Sequence, residues 1–363
     1  MRIKLKLHCV QNVEPDTEIG QKGEFCKGLD SLPNLGNIEV LQLEDIKTII
    51  IEISSKCIGH CPFCSRKGKI RAYGEHQITL KELKLIPESL IKQLKKIYFG
   101  GNFGDFCSNP ESLDIVEYIK QINKNIFMEG ETNGSSQDET WWKRLGSSFQ
   151  NDRLIFTLDG LEDTHHLHRR GTNFHTIIKN IKAFTHGGGV AYWKFIVFEH
   201  NEHQIRNAEA LAKEIGCAGF FVMSSRDYNE KYRMPKTIDF EIKRDIYSSY
   251  WKKLTDKDMY AMCNPFYNGS IYIAADGTVH PCCLAHCMYI TEHNKLFRYI
   301  VPLIDKYYSE INFKTRPIQE ILKSPYLTET SIKSKTNKYC VIKCNKYKNQ
   351  IKEELVLYDK HFH

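Results

Sequence analysis

The sequence predicts an α/β fold: a partial (β/α)6 barrel followed by a small cysteine-rich α+β domain with a β-hairpin. Three observations carry this. Six short apolar runs alternate with helical patterns between Thr48 and Met223. At 363 residues the chain is long enough for such a core plus an appended domain. Its patterned cysteines fall into two groups, one just after the first apolar run and one from Cys263 onward.

Residues 1–46 read as an N-terminal extension with turn signals at Gly20, Gly23 and Pro33. Regular structure begins with Thr48–Ile53, TIIIEI, an apolar run suited to a buried strand. A cysteine-rich loop follows. Thr79 and Glu82 have the spacing of a capping box, and Pro87 should bend or split the helix they open. Ile97–Phe99 is the second strand, ending in Gly100-Gly101. Asn109-Pro110 has the form of a cap and a first-turn proline for a helix through Lys120.

Asn125–Glu129 is the third strand, with a helix around Asp138–Leu145, and Arg153–Leu158 is the fourth. Phe174, Ile177, Ile178, Ile181 and Phe184 fall on one face of the next helix. Tyr192–Phe198 is the fifth strand. Asn201 and Gln204 cap a helix that runs to Ile215 and stops at Gly216. Gly219–Met223 is the sixth. This alternation implies a parallel sheet with right-handed crossovers, and six units fall short of a closed eight-unit barrel. Its chemistry is expected at the C-terminal strand ends. The Cys57 loop, Gly100-Gly101, Thr132-Asn133-Gly134, Asp159-Gly160 and Asn201 lie there. The barrel is thus assigned to residues 47–223, a connector to 224–258, the cysteine-bearing domain to 259–350 and a C-terminal tail to 351–363.

No run reaches the roughly 18 to 20 apolar residues that a membrane span needs. The start, MRIKLKLHCV, is too short and too interrupted by lysine for a secretory signal, so a cytoplasmic protein is expected. Thirteen cysteines in that setting point to metal or redox chemistry rather than disulfides. The net charge of +7 is a weak pointer to anionic partners, since lysine is abundant throughout. A local excess lies at Ser331–Lys352, with seven lysines and no acid. It reads as solvated surface, or as a dock for an anionic substrate.

Cys57, Cys61 and Cys64 form C-x3-C-x2-C after the first strand. Three thiolates this close can bind three irons of a [4Fe–4S] cluster and leave the fourth open. S-adenosylmethionine (SAM) can chelate that iron through its amino and carboxylate groups. An electron from the cluster then cleaves the sulfonium, giving methionine and a 5′-deoxyadenosyl radical that abstracts hydrogen from a substrate. The competing reading is zinc, with His60 as a fourth ligand, but zinc sites favour other spacings.

These residues resemble the radical SAM superfamily, whose hallmark is C-x3-C-x-aromatic-C, here Cys57, Cys61, Phe63 and Cys64. The resemblance covers about residues 47–223. It implies that Phe63 packs near the adenine. Gly100-Gly101-Asn102, followed by Gly104-Asp105, stands where the family has a G-G-E-like motif that holds the methionine amino group. Asn for Glu is a departure that keeps a carbonyl acceptor. Thr132-Asn133-Gly134 is similar to the family's T-N-G, and Thr157-Leu158-Asp159-Gly160 to its [ST]-x-D-G. Arg169-Arg170-Gly171 fits the Arg-Gly that follows. The resemblance assigns the SAM carboxylate to Thr157 and Arg170, with Arg169 as the alternative. Asn133 and Asp159 join the expected cofactor-binding set.

In the second group, Cys263 and Cys282 flank a hairpin pattern, Ser270–Ala274 and Thr278–His280 around Asp276-Gly277. Cys340 and Cys344 add C-x3-C, and four thiolates can hold a complete cluster. This resembles the SPASM domain of radical SAM peptide-modifying enzymes. Ser331 and Ser334 stand where two cysteines of its second cluster would be, and none follows Cys344. What remains is similar to a twitch domain with one auxiliary [4Fe–4S] cluster. Cys283 or Cys287 could replace Cys340, and an all-cysteine zinc site is an alternative. Cys9, Cys26, Cys107 and Cys217 read as core thiols. Trp141, Trp142 and Trp193 read as packing. His165, His166 and His168 read as a polar loop over the fourth strand's end.

The resemblance implies a radical SAM enzyme acting on a peptide or small molecule, supplied with electrons by an external donor such as flavodoxin or ferredoxin. The auxiliary cluster would accept an electron or help position substrate. The alternative is a zinc-binding, non-catalytic RNA-interaction protein, supported by charge alone.

Overall fold

The computed structural model describes residues 40–361, apart from 69–71, 226, 237–262, 292–298, 336, 338–339, 341–343 and 345–355. Most of the expected extension and connector, Cys9 and Cys26, and most of the lysine-rich stretch lie outside the described residues.

Six parallel strands form in chain order: β1 (Thr48–Ile51), β2 (Lys96–Phe99), β3 (Phe127–Thr132), β4 (Arg153–Thr157), β5 (Val190–Val197) and β6 (Gly219–Ser224). The sheet continues past them on both sides. The hairpin expected in a separate domain forms as β7 (Ser270–Ile273) and β8 (Val279–His280), turning at Gly277 with φ of 96°. Yet β7 pairs in parallel with β1, Thr48 opposite Ser270 and Ile50 opposite Tyr272. At the other side β9 (Val356–His361), inside the segment read as a tail, runs antiparallel to β6. The nine strands are ordered β8-β7-β1-β2-β3-β4-β5-β6-β9.

Strand periodicity sorts side chains onto two faces. One face carries Ile49, Ile97, Phe99, Met128, Phe156, Trp193, Phe195 and Phe220, all buried. It packs beneath helices α1 (Leu80–Leu83), α2 (Glu88–Gln93), α3 (Ser112–Ile122), α4 (Glu139–Ser148) and, after a one-turn α5 (His165–His168) beyond the end of β4, α6 (Phe174–His186) and α7 (Ile205–Glu214). Phe156 meets Trp142 of α4 and Phe184 of α6 at ring-centroid distances of 5.2 and 5.6 Å. The opposite, inner face is charged. Lys96 and Arg153 pair with Glu129, and Lys194 pairs with Glu131, which also accepts from Tyr98 Oη at 3.3 Å.

Local signals explain the helix starts. Thr79 and Glu82 make the reciprocal capping box, and Pro87 splits the helix into α1 and α2. Asp138 and Asn173 accept from Trp141 N and Thr176 N to cap α4 and α6. Asn109-Pro110 does not start α3, which begins at Ser112. The Asn109 amide instead donates to the carbonyls of Ile53 and Ile78, both at 2.8 Å, fastening the end of the β1 segment to the α1 segment. The second cysteine group sits among α8 (Asn264–Asn268), α9 (Cys283–Thr291), α10 (Ile300–Tyr307), α11 (Ile318–Leu322) and α12 (Pro325–Ser334). Trp142 and Trp193 are fully buried, as are Cys107 and Cys217. Among the described residues no helix is long and apolar enough to cross a membrane.

Candidate active site at the strand ends

The Cys57 loop leaves β1 and closes around Gly59. A Cβ there would lie 3.4 Å from Cys57 Sγ and 3.7 Å from Cys61 Sγ, both ordinary contact distances, so the two thiols lie on the same side of the turn. Arg66 braces the loop by donating to the Cys57 carbonyl at 2.7 Å and to the Gly59 carbonyl. His60 N donates to the Arg170 carbonyl at 2.7 Å, tying the loop to the Arg169-Arg170-Gly171 turn. The three loop cysteines are half-buried. Burial, and then the Asp105 carboxylate, push the Cys57 thiol up to about 11.

Asp105 is almost completely buried. Its carboxylate accepts from Cys107 N, from Thr132 Oγ1, and from both the backbone and side-chain nitrogens of Asn133, each at 2.6 Å. Asn133 Nδ2 also approaches Cys57 Sγ at 3.5 Å. Burial raises the Asp105 carboxyl, opposed by these bonds. Neither Asp105 nor Glu52 belongs to the cofactor-binding set that the sequence implies. Glu52, the acid in TIIIEI, is 2% exposed and accepts from Phe103 N at 2.7 Å, Gly104 N at 2.8 Å and Tyr272 Oη at 2.7 Å. Its carboxyl too is raised by burial, against those hydrogen bonds. Gly100 and Gly101 form the loop backbone here. A Cβ on Gly101 would fall 2.2 Å from the Glu52 carboxyl carbon. Asn102 directs its amide to Tyr272 Oη at 3.3 Å and to the Cys283 carbonyl at 2.8 Å.

At the ends of β4 and β5, Asp159 is fully buried and accepts from His168 Nδ1 at 2.6 Å, Ile196 N at 2.8 Å and the Arg169 guanidinium. Against the desolvation of burial, Arg169 and His168 hold its carboxyl well below the usual range. The Arg169 guanidinium also lies near Cys61, where its charge favours the thiolate against the burial that raises the thiol. Arg170 turns away and donates to Tyr232 Oη at 2.6 Å. The Thr157 hydroxyl donates to the Thr132 carbonyl at 3.1 Å, linking the ends of β3 and β4. Phe63 sits in an aromatic group, its ring 5.4 Å from Tyr232, 6.1 Å from His168 and 6.5 Å from Phe198. The histidine run is not a loop. It forms the single turn α5, with His165 and His168 buried.

The second cysteines also converge. The Cys282 thiol is raised by burial and then by the charges of its neighbours Cys283, Cys263, Cys344 and Cys340. Tyr299 Oη lies 3.3 Å from Cys340 Sγ, and Tyr299 is raised by burial, Cys340, Cys263 and Cys282. Among the described residues no three His, Cys, Asp or Glu side chains close on one point as ligands of a single ion do. A cubane instead takes one thiolate per iron. The paired thiols beside Gly59 and the nearness of the second cysteines fit that donor set.

The family model of the radical SAM superfamily matches residues 51–211. The chain carries a radical SAM domain. The model of SPASM, an iron–sulfur cluster-binding domain, matches residues 263–346 of this radical SAM enzyme. Its cofactors are SAM and [4Fe–4S] clusters. No curated protein matches it in sequence. Among solved structures, Streptococcus suis SuiB bound to the precursor peptide SuiA is 14% identical over 86% of this chain and 74% of that one, with a TM-score of 0.54. A histidine-tagged anSMEcpe with bound AdoMet is 15% identical over 85% of this chain and 92% of that one, with a TM-score of 0.52. For SuiB bound to S-adenosylmethionine the match covers 65% of this chain and 60% of that one, at 15% identity and a TM-score of 0.47. At these identities the likeness is one of fold.

Proposed function

We propose that this radical SAM enzyme modifies a peptide by hydrogen abstraction, with Cys57, Cys61 and Cys64 holding the SAM-binding cluster and Cys263, Cys282, Cys340 and Cys344 an auxiliary one. When bound, the first cluster and SAM together supply reductive cleavage to methionine and a 5′-deoxyadenosyl radical. The observation that carries the assignment is the pair of thiols flanking Gly59 beside Asp105 and Arg169.

The chain's own groups have distinct tasks in this reading. Asp105 presents a buried carboxylate to the SAM amino group, because it stands beside Cys57 and carries the negative charge that Asn102 lacks; Asn102 Nδ2 donates to Tyr272 and Cys283. Arg169 supplies fixed positive charge at Cys61, toward the SAM carboxylate. Asn133 orients Asp105 against Cys57. Thr157 and Asp159 hold the ends of β3, β4 and β5 in place. Gly100 and Gly101 let the loop backbone approach, and Phe63 with Arg170 and Tyr232 forms the adenine side. The aromatic group and the buried strand ends exclude water from the reacting region. An external donor such as flavodoxin or ferredoxin delivers the electron.

A peptide is favoured by the charged inner face of the barrel, where Glu131, Lys194 and Tyr98 offer polar contacts. SuiB, of similar fold, binds a precursor peptide. The test is anaerobic reconstitution of the wild type and a Cys57/Cys61/Cys64→Ala triple variant. About eight irons in the first and about four in the second are expected for two four-iron clusters. With dithionite, the wild type should release 5′-deoxyadenosine from SAM and Cys61→Ala should not. Zinc in place of iron, or deoxyadenosine from Cys61→Ala, overturns the reading.

A further inference from the structure

A line of hydrogen bonds, bridged by the peptide link from Gly104 to Asp105, joins the two cysteine groups. It begins at the carbonyl of Cys283, next to Cys282. Asn102 Nδ2 donates to that carbonyl at 2.8 Å and to Tyr272 Oη at 3.3 Å. Tyr272, on β7, donates to Glu52 Oε2 at 2.7 Å. Glu52 Oε1 receives the amides of Phe103 and Gly104 at 2.7 and 2.8 Å. The next residue is Asp105, whose carboxylate binds Asn133, and Asn133 reaches Cys57 Sγ.

The line is built for position rather than charge balance. Among the described residues no cation pairs with Glu52, although its carboxyl is buried. Neutral donors alone satisfy it, one of them from β7, more than two hundred residues along the chain. The packing leaves the loop little slack. A Cβ on Gly101 would overlap the Glu52 carboxyl, and one on Gly104 would lie 1.7 Å from the Ser54 carbonyl oxygen. A loop held this way has one place to put Asp105.

We propose that Asn102, Tyr272 and Glu52 form a latch through which the auxiliary-cluster segment sets the SAM site, making Tyr272 and Asn102 positioning residues for SAM binding. The proposal rests on the SAM-site reading above. It assigns Asn102 to the contact between segments, and leaves the SAM amino group to Asp105. Tyr272→Phe removes only the hydroxyl that orients Glu52. Asn102→Ala removes the bonds to Tyr272 and Cys283.

The experiment uses the anaerobic holoenzyme with both clusters loaded. SAM affinity is measured by calorimetry, and the electron paramagnetic resonance spectrum of the reduced enzyme is recorded with and without SAM. The expected result is undiminished iron content, a SAM affinity about tenfold weaker in each variant, comparable to one charge-assisted hydrogen bond, and an altered SAM-induced spectral shift. In a double-mutant cycle, Tyr272→Phe should add little to the loss caused by Asp105→Asn, because both act on one contact. Wild-type affinity and spectrum in both variants overturn the latch, as does full additivity with Asp105→Asn. If Tyr272→Phe loses iron, the half-exposed Asn102→Ala decides. Failure of the wild type itself to bind SAM overturns the first-cluster reading and the latch with it.

Discussion

Arg169 pairs its guanidinium with the fully buried Asp159 carboxylate at the ends of β4 and β5, and its charge favours the nearby Cys61 thiolate. Arg170, its neighbour, is bound to Tyr232 Oη instead. The two arginines should therefore answer mutation differently. Arg169→Ala leaves a fully buried carboxylate to His168 and the Ile196 amide and should cost about 3–5 kcal/mol of stability. Arg170→Ala, at a half-exposed position, should cost about 1 kcal/mol. Urea unfolding midpoints of the two variants, compared under identical anaerobic conditions, check the ordering.

Gly104 offers a steric test. A methyl group there meets the Ser54 carbonyl oxygen at 1.7 Å, while one on Gly74 meets only the His76 ring at 3.6 Å. Gly104→Ala should destabilise by about 1–3 kcal/mol or more through forced backbone movement. Gly74→Ala should stay within about 0.5 kcal/mol of wild type. Thermal melts separate the two, and equal melting temperatures would refute the packing argument.

Acid should weaken the fold through buried histidines. Burial lowers His165 and His286 to about 4, each from an ordinary value near 6.5. Between those values the unfolded chain binds protons that the folded chain refuses. Stability is thus retained above about pH 6.5 and lost as pH falls toward 4. Replacing His165 with Gln should flatten that slope. Unfolding free energy measured at intervals across the window checks the sign.

The auxiliary ligands can be told from their neighbours by substitution. Cys340 faces Tyr299, and Cys263, Cys344 and Cys340, like Cys283, raise the buried Cys282 thiol. Cys283 and Cys287 are carried on α9, and the Cys283 carbonyl is taken by Asn102. Cys340→Ala should fall to about four irons, and Cys283→Ser and Cys287→Ser should keep about eight. Iron retained in Cys340→Ala alone would move the assignment to α9.

The barrel was legible because parallel strands buried beneath helices write themselves as apolar runs, TIIIEI above all. The cysteine loop was legible because its spacing is local. Contacts between distant segments were not. Nothing in SIYI says that it pairs with β1, and nothing in VLYDKH says that it pairs with β6. Glu52 was hidden for the same reason, since its donors come from the second strand's loop and from β7. Asp105 lay beyond the Gly-Gly-Asn on which the motif comparison rested, and only its place beside Cys57 marks it. The histidine run looked like surface, because burial of His165 and His168 depends on Thr172 and Asp159 receiving their rings.

Because β7 lies along β1, the first strand of the barrel is an interior strand. Cutting the chain before residue 263 would bare its row of amides and carbonyls, an invitation to pair with another molecule. The cysteines that follow could be lost in descent one at a time, at the cost of a cluster. The hairpin between them could not be shed so freely, because it is the wall against which the catalytic half is built.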